Sequence, residues 1–170
     1  KNARILEVGN VMSYYTKIEH DIVDRFEEAP GVINQDIIEY KPDKKYDLII
    51  SISTFEHIGC DIKEEINTGK NGLAFSHTRS LLDEAGLMMV TVPLDYNEEL
   101  DTSIKNKTLD MDKIHCLKRG DYNGWTETDI YEAMQGDYRR DPCYVGAYIN
   151  HQFSLNVSLI TRYVTHLAVC

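Results

Sequence analysis

The sequence predicts an α/β fold built on an open, mostly parallel sheet. Three observations carry this. Tyr46–Ile52 (YDLIISI) and Leu87–Val92 (LMMVTV) are β-branched, apolar runs with no polar alternation, the pattern of strands covered on both faces. A helical pattern over Leu73–Glu84 lies between them. Shorter apolar runs ahead of both repeat the strand spacing with brief connections. Strand, helix, strand in that order is how a parallel sheet with helices on its two sides is built.

In chain order, Arg4–Val8 (RILEV) is a short buried strand closed by Gly9 and Asn10. His20–Val23 is a second strand that ends at Asp24, and Gly31–Ile33 is a third, followed by Asn34, Gln35 and Asp36. Ile62–Asn67 reads as a short polar turn of helix. Leu73–Glu84 carries Leu73, Phe75, Leu81 and Leu82 at helical spacing and closes with Ala85-Gly86 as a C-cap. Tyr96–Asp112 reads as a long loop or a broken helix, and Lys113–Arg119 as a strand. Thr126-Glu127-Thr128-Asp129 resembles a capping box ahead of a short helix over Ile130–Met134. Tyr144–Ile149 is a further strand, and Phe153–Val169 fits either a strand pair or one helix.

The chain has 170 residues, 42% of them apolar and 27% charged. That is the balance of a single globular domain, and it excludes disordered, collagen-like and coiled-coil classes. With 18 basic against 28 acidic residues the net charge is −10, which argues against a nucleic-acid partner. Cys60, Cys116, Cys143 and Cys170 are far apart with no C-x-x-C pair, so a reduced, cytoplasmic protein is expected. No secretory signal is expected, because Lys1–Asn10 reads as a strand, and the absence of an initiating Met suggests a trimmed chain or an excised domain. Gln152–Cys170 contains Arg162 and many Ser, Thr and Asn residues, so no membrane span is expected. No oligomeric state follows from the sequence.

The informative feature is a series of polar residues at strand ends: Glu7 and Gly9 after the first strand, Asp24 after the second, Asp36 after the third, and Ser53 to His57 after the fourth. In open parallel sheets, ligands bind beyond the carboxyl ends of the strands where strand order reverses. These residues would converge there on an adenosine ligand. Gly9, lacking a Cβ, permits close backbone approach. Asp24 is placed to accept from a ribose diol, and Asp36 from the adenine amine with Ile37 flanking the ring.

Five segments in this order, ILEVGN (Ile5–Asn10), HDIVDRF (His20–Phe26), NQDI (Asn34–Ile37), YDLIISISTFEHIG (Tyr46–Gly59) and AGLMMVTVP (Ala85–Pro93), resemble the class I S-adenosylmethionine-dependent methyltransferases. The resemblance covers about Arg4 to Asn97. It implies a three-layer Rossmann-like sheet of seven strands, the last antiparallel. It also implies a single domain over 1–170, in which 1–95 hold the cofactor and 96–170 supply the substrate side and the terminal strands. The cofactor implied is S-adenosylmethionine, with S-adenosylhomocysteine as product. The cofactor-binding residues are then Glu7, Gly9, Asn10, Asp24, Asp36, Ile37 and Ser53. The partner is a small-molecule or sugar-containing acceptor.

Two departures stand out. The family's loop usually reads G-x-G-x-G, whereas this one reads Gly9-Asn10-Val11-Met12-Ser13. The short spacing from Gly9 to Asp24 also leaves room for only a very short first helix around Val11–Tyr15. Family members often carry helices ahead of the first strand, and this chain starts almost on that strand.

Methyl transfer from a sulfonium needs mainly in-line alignment, with a base where the nucleophile must lose a proton. His57 is the first candidate base and Glu56 the second; the competing reading is that Glu-His supports the loop. Tyr96 and Asp95 would line the substrate side. Glu7 is either a ligand-side residue or a partnered buried acid. Tyr14-Tyr15 pack the first helix or stack on ligand, and Trp125 is a packing anchor. Glu27-Glu28, Glu64-Glu65 and Glu98-Glu99 read as solvated faces. His57 and Cys60, spaced H-x-x-C, lack the second pair a zinc site needs. The alternative function is a non-catalytic cofactor-binding or assembly module. A nicotinamide-dependent oxidoreductase would need a G-x-G-x-x-G loop that is not present.

Overall fold

A computed structural model of the chain describes residues 3–60, 67–120, 124–139 and 143–149. The helix read at Ile62–Asn67 and the segment Phe153–Val169 therefore fall wholly or almost wholly outside the described residues. Among the described residues eight strands form one sheet: β1 (Ile5–Val8), β2 (Asp21–Asp24), β3 (Val32–Asn34), β4 (Tyr46–Ile52), β5 (Leu82–Pro93), β6 (Lys113–Arg119), β7 (Trp125–Thr128) and β8 (Cys143–Ile149). Their spatial order is β3-β2-β1-β4-β5-β8-β6-β7. The first five strands in that order run parallel. β8, the last strand among the described residues, is antiparallel and lies between β5 and β6. β7 adds an antiparallel edge beside β6, one strand beyond the expected seven.

Register explains the burial. Leu6, Ile49 and Met88 pair across β1, β4 and β5, as do Val8, Ser51 and Val90. All six are buried, because residues paired in register point to one face. Helices α1 (Lys70–Ser80) and α2 (Glu98–Lys105) cover that face. Phe75 of α1 and Leu100 and Ile104 of α2 line one small apolar pocket with Val90 and Val92. On the opposite face Leu87, Met89 and Trp125 pack around Leu117, which places Trp125 as the expected packing anchor.

Helix α1 departs from its sequence reading for a physical reason. Its buried positions are Asn71, Ala74, Phe75 and Thr78, spaced as one helical face. Two of the four are polar. Asn71 Nδ2 donates to the Phe55 carbonyl, and Thr78 Oγ1 donates to the Ala74 carbonyl at 2.7 Å. Leu73, read as apolar-face, is 64% exposed. The helix stops at Ser80, so Ala85-Gly86 is not its cap. Gly86 lies within β5, where a side chain would collide with Leu82 and the Tyr46 carbonyl. The β4–β5 register shifts next to it, from Tyr46↔Leu82 to Leu48↔Leu87.

In the segment read as loop or broken helix, Asn97 caps α2 by accepting from Leu100 N at 3.1 Å. Acids at 98, 99 and 101 occupy the first turn, where the helix dipole favours them. The proposed capping box is corrected too: Thr126–Thr128 belong to β7, and Asp129 alone caps α3 (Ile130–Ala133), accepting from Tyr131 N and Glu132 N.

Candidate cofactor cavity

β1, β2 and β3 are laid down in one direction across the sheet, and β4 and β5 in the other. The switch point thus lies between β1 and β4. A cavity of about 490 Å³ opens there, beyond the carboxyl ends of the strands, within the usual size of a small-molecule site. Gly9, Asn10, Asp24, Asp36, Ile37, Ser53 and His57 all line it.

The loop after β1 is held by carboxylates. Glu7 is fully buried; its Oε1 accepts the N–H groups of Val11 at 2.9 Å and Met12 at 2.7 Å, and its Oε2 lies 3.0 Å from His20 Nε2. It is the partnered buried acid of the two readings, beneath the loop and not among the lining residues. Asp24 Oδ2 accepts from Asn10 N at 3.1 Å, while its Oδ1 accepts from Phe26 N and Glu27 N. Gly9 has a φ of 86°, a left-handed conformation that favours glycine. A Cβ there would run into the Thr54 side chain, so its missing side chain serves the packing of two loops against each other.

Glu27, read as part of a solvated face, is half-buried and lines the cavity. Its Oε1 accepts from Asn10 Nδ2 at 2.7 Å and from the Tyr14 hydroxyl at 3.2 Å. That hydrogen bond, with the charge behind it, raises the Tyr14 pKa. Tyr14 sits in the 3-10 turn Met12–Tyr14, the short first helix the spacing required. It is 72% exposed and lines the cavity with Phe26, so it does not serve as a core residue.

At the opposite wall, Asp36 is paired twice. Its Oδ2 lies 2.9 Å from Lys70 Nζ and 3.2 Å from Arg25 NH1, and Oδ1 accepts from Ile38 N. Burial pushes its pKa up, but these partners outweigh burial and hold it below its ordinary value. Lys70, the first residue of α1, carried no sequence signal, because its partner comes from a distant loop.

Beyond β4, Ser53 adopts a φ of 45°, which is uncommon for a non-glycine residue. Glu56 and His57 form a 3-10 turn. The Glu56 carboxyl is buried, 3.9 Å from His57 Nε2. Among the described residues its Oε2 has no hydrogen-bond partner. Burial raises its pKa to about 8, against the pull of hydrogen bonds from its own backbone and the Ser53 side chain. His57 stacks edge-on against Tyr96 with centroids 4.8 Å apart, and Tyr96 against Tyr138 at 5.3 Å. Cys60 Sγ donates to the Glu56 carbonyl at 2.9 Å. Among the described residues no group of three metal-ligating side chains gathers, and no helix is long and apolar enough to cross a membrane.

No family model matches the chain. The chain is 33% identical over 105 residues to malonyl-[acyl-carrier protein] O-methyltransferase 2 of Ilyobacter polytropus, an alignment covering 58% of this chain and 37% of that protein. The chain therefore spans little more than a third of the length of this curated relative. Among solved structures it resembles the N-methyltransferase NodS of Bradyrhizobium japonicum in complex with S-adenosylhomocysteine. That match has a TM-score of 0.54 and 11% identity, over 88% of this chain and 79% of that one. It also resembles a methyltransferase dependent on S-adenosylmethionine from Archaeoglobus fulgidus, with a TM-score of 0.52 and 15% identity over 86% of each chain. The strand order, the antiparallel β8 between β5 and β6, and these likenesses lead to one conclusion: the chain has the fold of the class I S-adenosylmethionine-dependent methyltransferases.

Proposed function

We propose that the chain binds S-adenosylmethionine in the switch-point cavity and transfers its methyl group to a small-molecule or sugar-containing acceptor. The observation that carries this is the placement of Asp24, Glu27, Asp36 and Ile37 around one cavity at the strand ends. The donor set fits the cofactor's nucleoside. Asp24 Oδ2 keeps a lone pair beside its one bond to Asn10, and Glu27, which accepts from the Asn10 side chain, lines the same cavity; together they offer a ribose diol two carboxylates. Ile37 and Phe26 offer apolar surface to a base, with Asp36 at its edge. Asn10 and Ser53 complete the walls. When bound, the cofactor supplies a methyl group already activated by its sulfonium charge.

The chain's own task is alignment and, for a protonated nucleophile, proton removal. His57 lines the cavity, and the side chain is 41% exposed. It can take a proton from an acceptor and pass it to solvent. Residues 1–95 then hold the cofactor, and the acceptor enters from the side of residues 96–170.

One observation favours the second reading, a binding module without turnover. The N–H groups of Asn10, Val11 and Met12 are all taken by Asp24 and Glu7, so the loop does not present them to the cofactor's methionine carboxylate. Incubation with methyl-labelled S-adenosylmethionine and panels of amines, amino sugars and hydroxy acids tests this. Label in an acceptor supports the enzyme. Tight cofactor binding with no label transferred to any of them supports the module.

A further inference from the structure

We propose that the acceptor is an ammonium-bearing molecule, held on the aromatic wall formed by His57, Tyr96 and Tyr138 beside the cavity. This deepens the methyl-transfer reading and rests on it. His57 lines the cavity, Tyr96 meets it edge to face, and Tyr138 meets Tyr96 in the same way, with interplanar angles of 70° and 78°. Tyr96 and Tyr138 remain 37% and 39% exposed, so part of each side chain is open to a ligand from solvent. The wall is built. Asp95, at a φ of 66°, accepts from Tyr138 N at 3.2 Å, and its own N–H donates to Asp101 Oδ2 at 2.8 Å. Those bonds tie the turn before α2 to the segment before β8. Asn97 Nδ2 donates to the Glu56 carbonyl at 3.0 Å and joins the same turn to the one that carries His57.

The charge on this wall is negative. Asp95, Asp101 and Glu98 stand around the turn, and Asp137 precedes Tyr138. Arg139 and Arg140 follow Tyr138 and are the opposing charges in that segment. Aromatic faces backed by carboxylates attract a cation through the ring quadrupole and through Coulomb forces together. A neutral alcohol or sugar gains dispersion against the rings but neither of these charge interactions. An ammonium must also lose a proton before its nitrogen becomes a nucleophile. His57 stands where the wall meets the cavity: its imidazole takes that proton and passes it to solvent.

The test compares choline with its uncharged carbon isostere, in which the quaternary nitrogen is replaced by carbon, by calorimetry on the protein saturated with S-adenosylhomocysteine. Choline cannot itself lose a proton, so binding alone is read. The inference expects choline to bind about tenfold tighter than the isostere, and the preference to shrink in Tyr96→Leu and Tyr138→Leu. Equal affinities, or no choline binding to protein that holds S-adenosylhomocysteine, overturn the ammonium assignment and leave the cofactor reading intact. Failure of S-adenosylhomocysteine to bind overturns the reading beneath it and this inference with it.

Discussion

Glu7 Oε1 accepts the backbone N–H of Met12 at 2.7 Å. This one contact shows how a chain with few loop glycines closes the turn after its first strand. A buried carboxylate supplies the acceptors for two consecutive N–H groups, and His20 faces its other oxygen. Removing one partner of such a set leaves buried polar groups unpaired. Glu7→Ala is expected to lower stability by about 3 kcal/mol, and Glu7→Gln, which keeps an acceptor, by about 1 kcal/mol. Urea denaturation checks both; an Ala variant as stable as the wild type would contradict the role given to Glu7.

Lys70 clamps Asp36 across the far wall of the cavity. The Asp36 pKa is lowered in the fold, so its contribution to stability is present above the ordinary carboxylate range and fades as pH falls through the folded value. Lys70→Met is expected to cost about 1 kcal/mol at neutral pH. The two proteins should converge in acid, once Asp36 is protonated in both. Thermal melts across a pH series measure this, and a gap that persisted in acid would contradict the pairing.

Glu56 behaves in the opposite sense. Burial raises its pKa to about 8 in the fold from the model-compound value of 4.5. The fold therefore binds its proton more tightly than the unfolded chain does. The stabilisation is complete below pH 4.5 and is lost as pH rises towards 8. Glu56→Gln, which cannot ionise, should flatten that decline and gain stability relative to the wild type on the alkaline side. Parallel pH profiles of the two proteins from chemical denaturation read it directly. A wild-type profile as flat as that of the variant would mean that Glu56 is ionised at little cost.

Much of this architecture is visible in the residues themselves. β4 and β6 fall on their predicted spans, and β1, β2, β3 and β8 within a residue or so at each end, because buried parallel strands are short apolar runs that little else imitates. The C-terminal boundary of α1 was not visible, since two of its four buried positions are Asn71 and Thr78. Polar residues satisfied inside a core carry no apolar periodicity. At the site, strand-end logic finds Gly9, Asn10, Asp24, Asp36, Ile37, Ser53 and His57 around one cavity. It misses Glu27 and Lys70, which act through partners from other loops, Asn10 and Asp36. It also leaves the place of Glu7 open, because an acid inside an apolar strand can face either a ligand or the backbone, and only the loop's path decides.

The most direct test of the account is calorimetric titration of S-adenosylhomocysteine into the wild type and Glu27→Gln. Saturable one-to-one binding by the wild type is expected. Affinity in the variant should be weaker by roughly 1–3 kcal/mol, the scale for losing a hydrogen bond to a charged group. No heat of binding at millimolar ligand, or equal affinities in two folded proteins, would contradict the account.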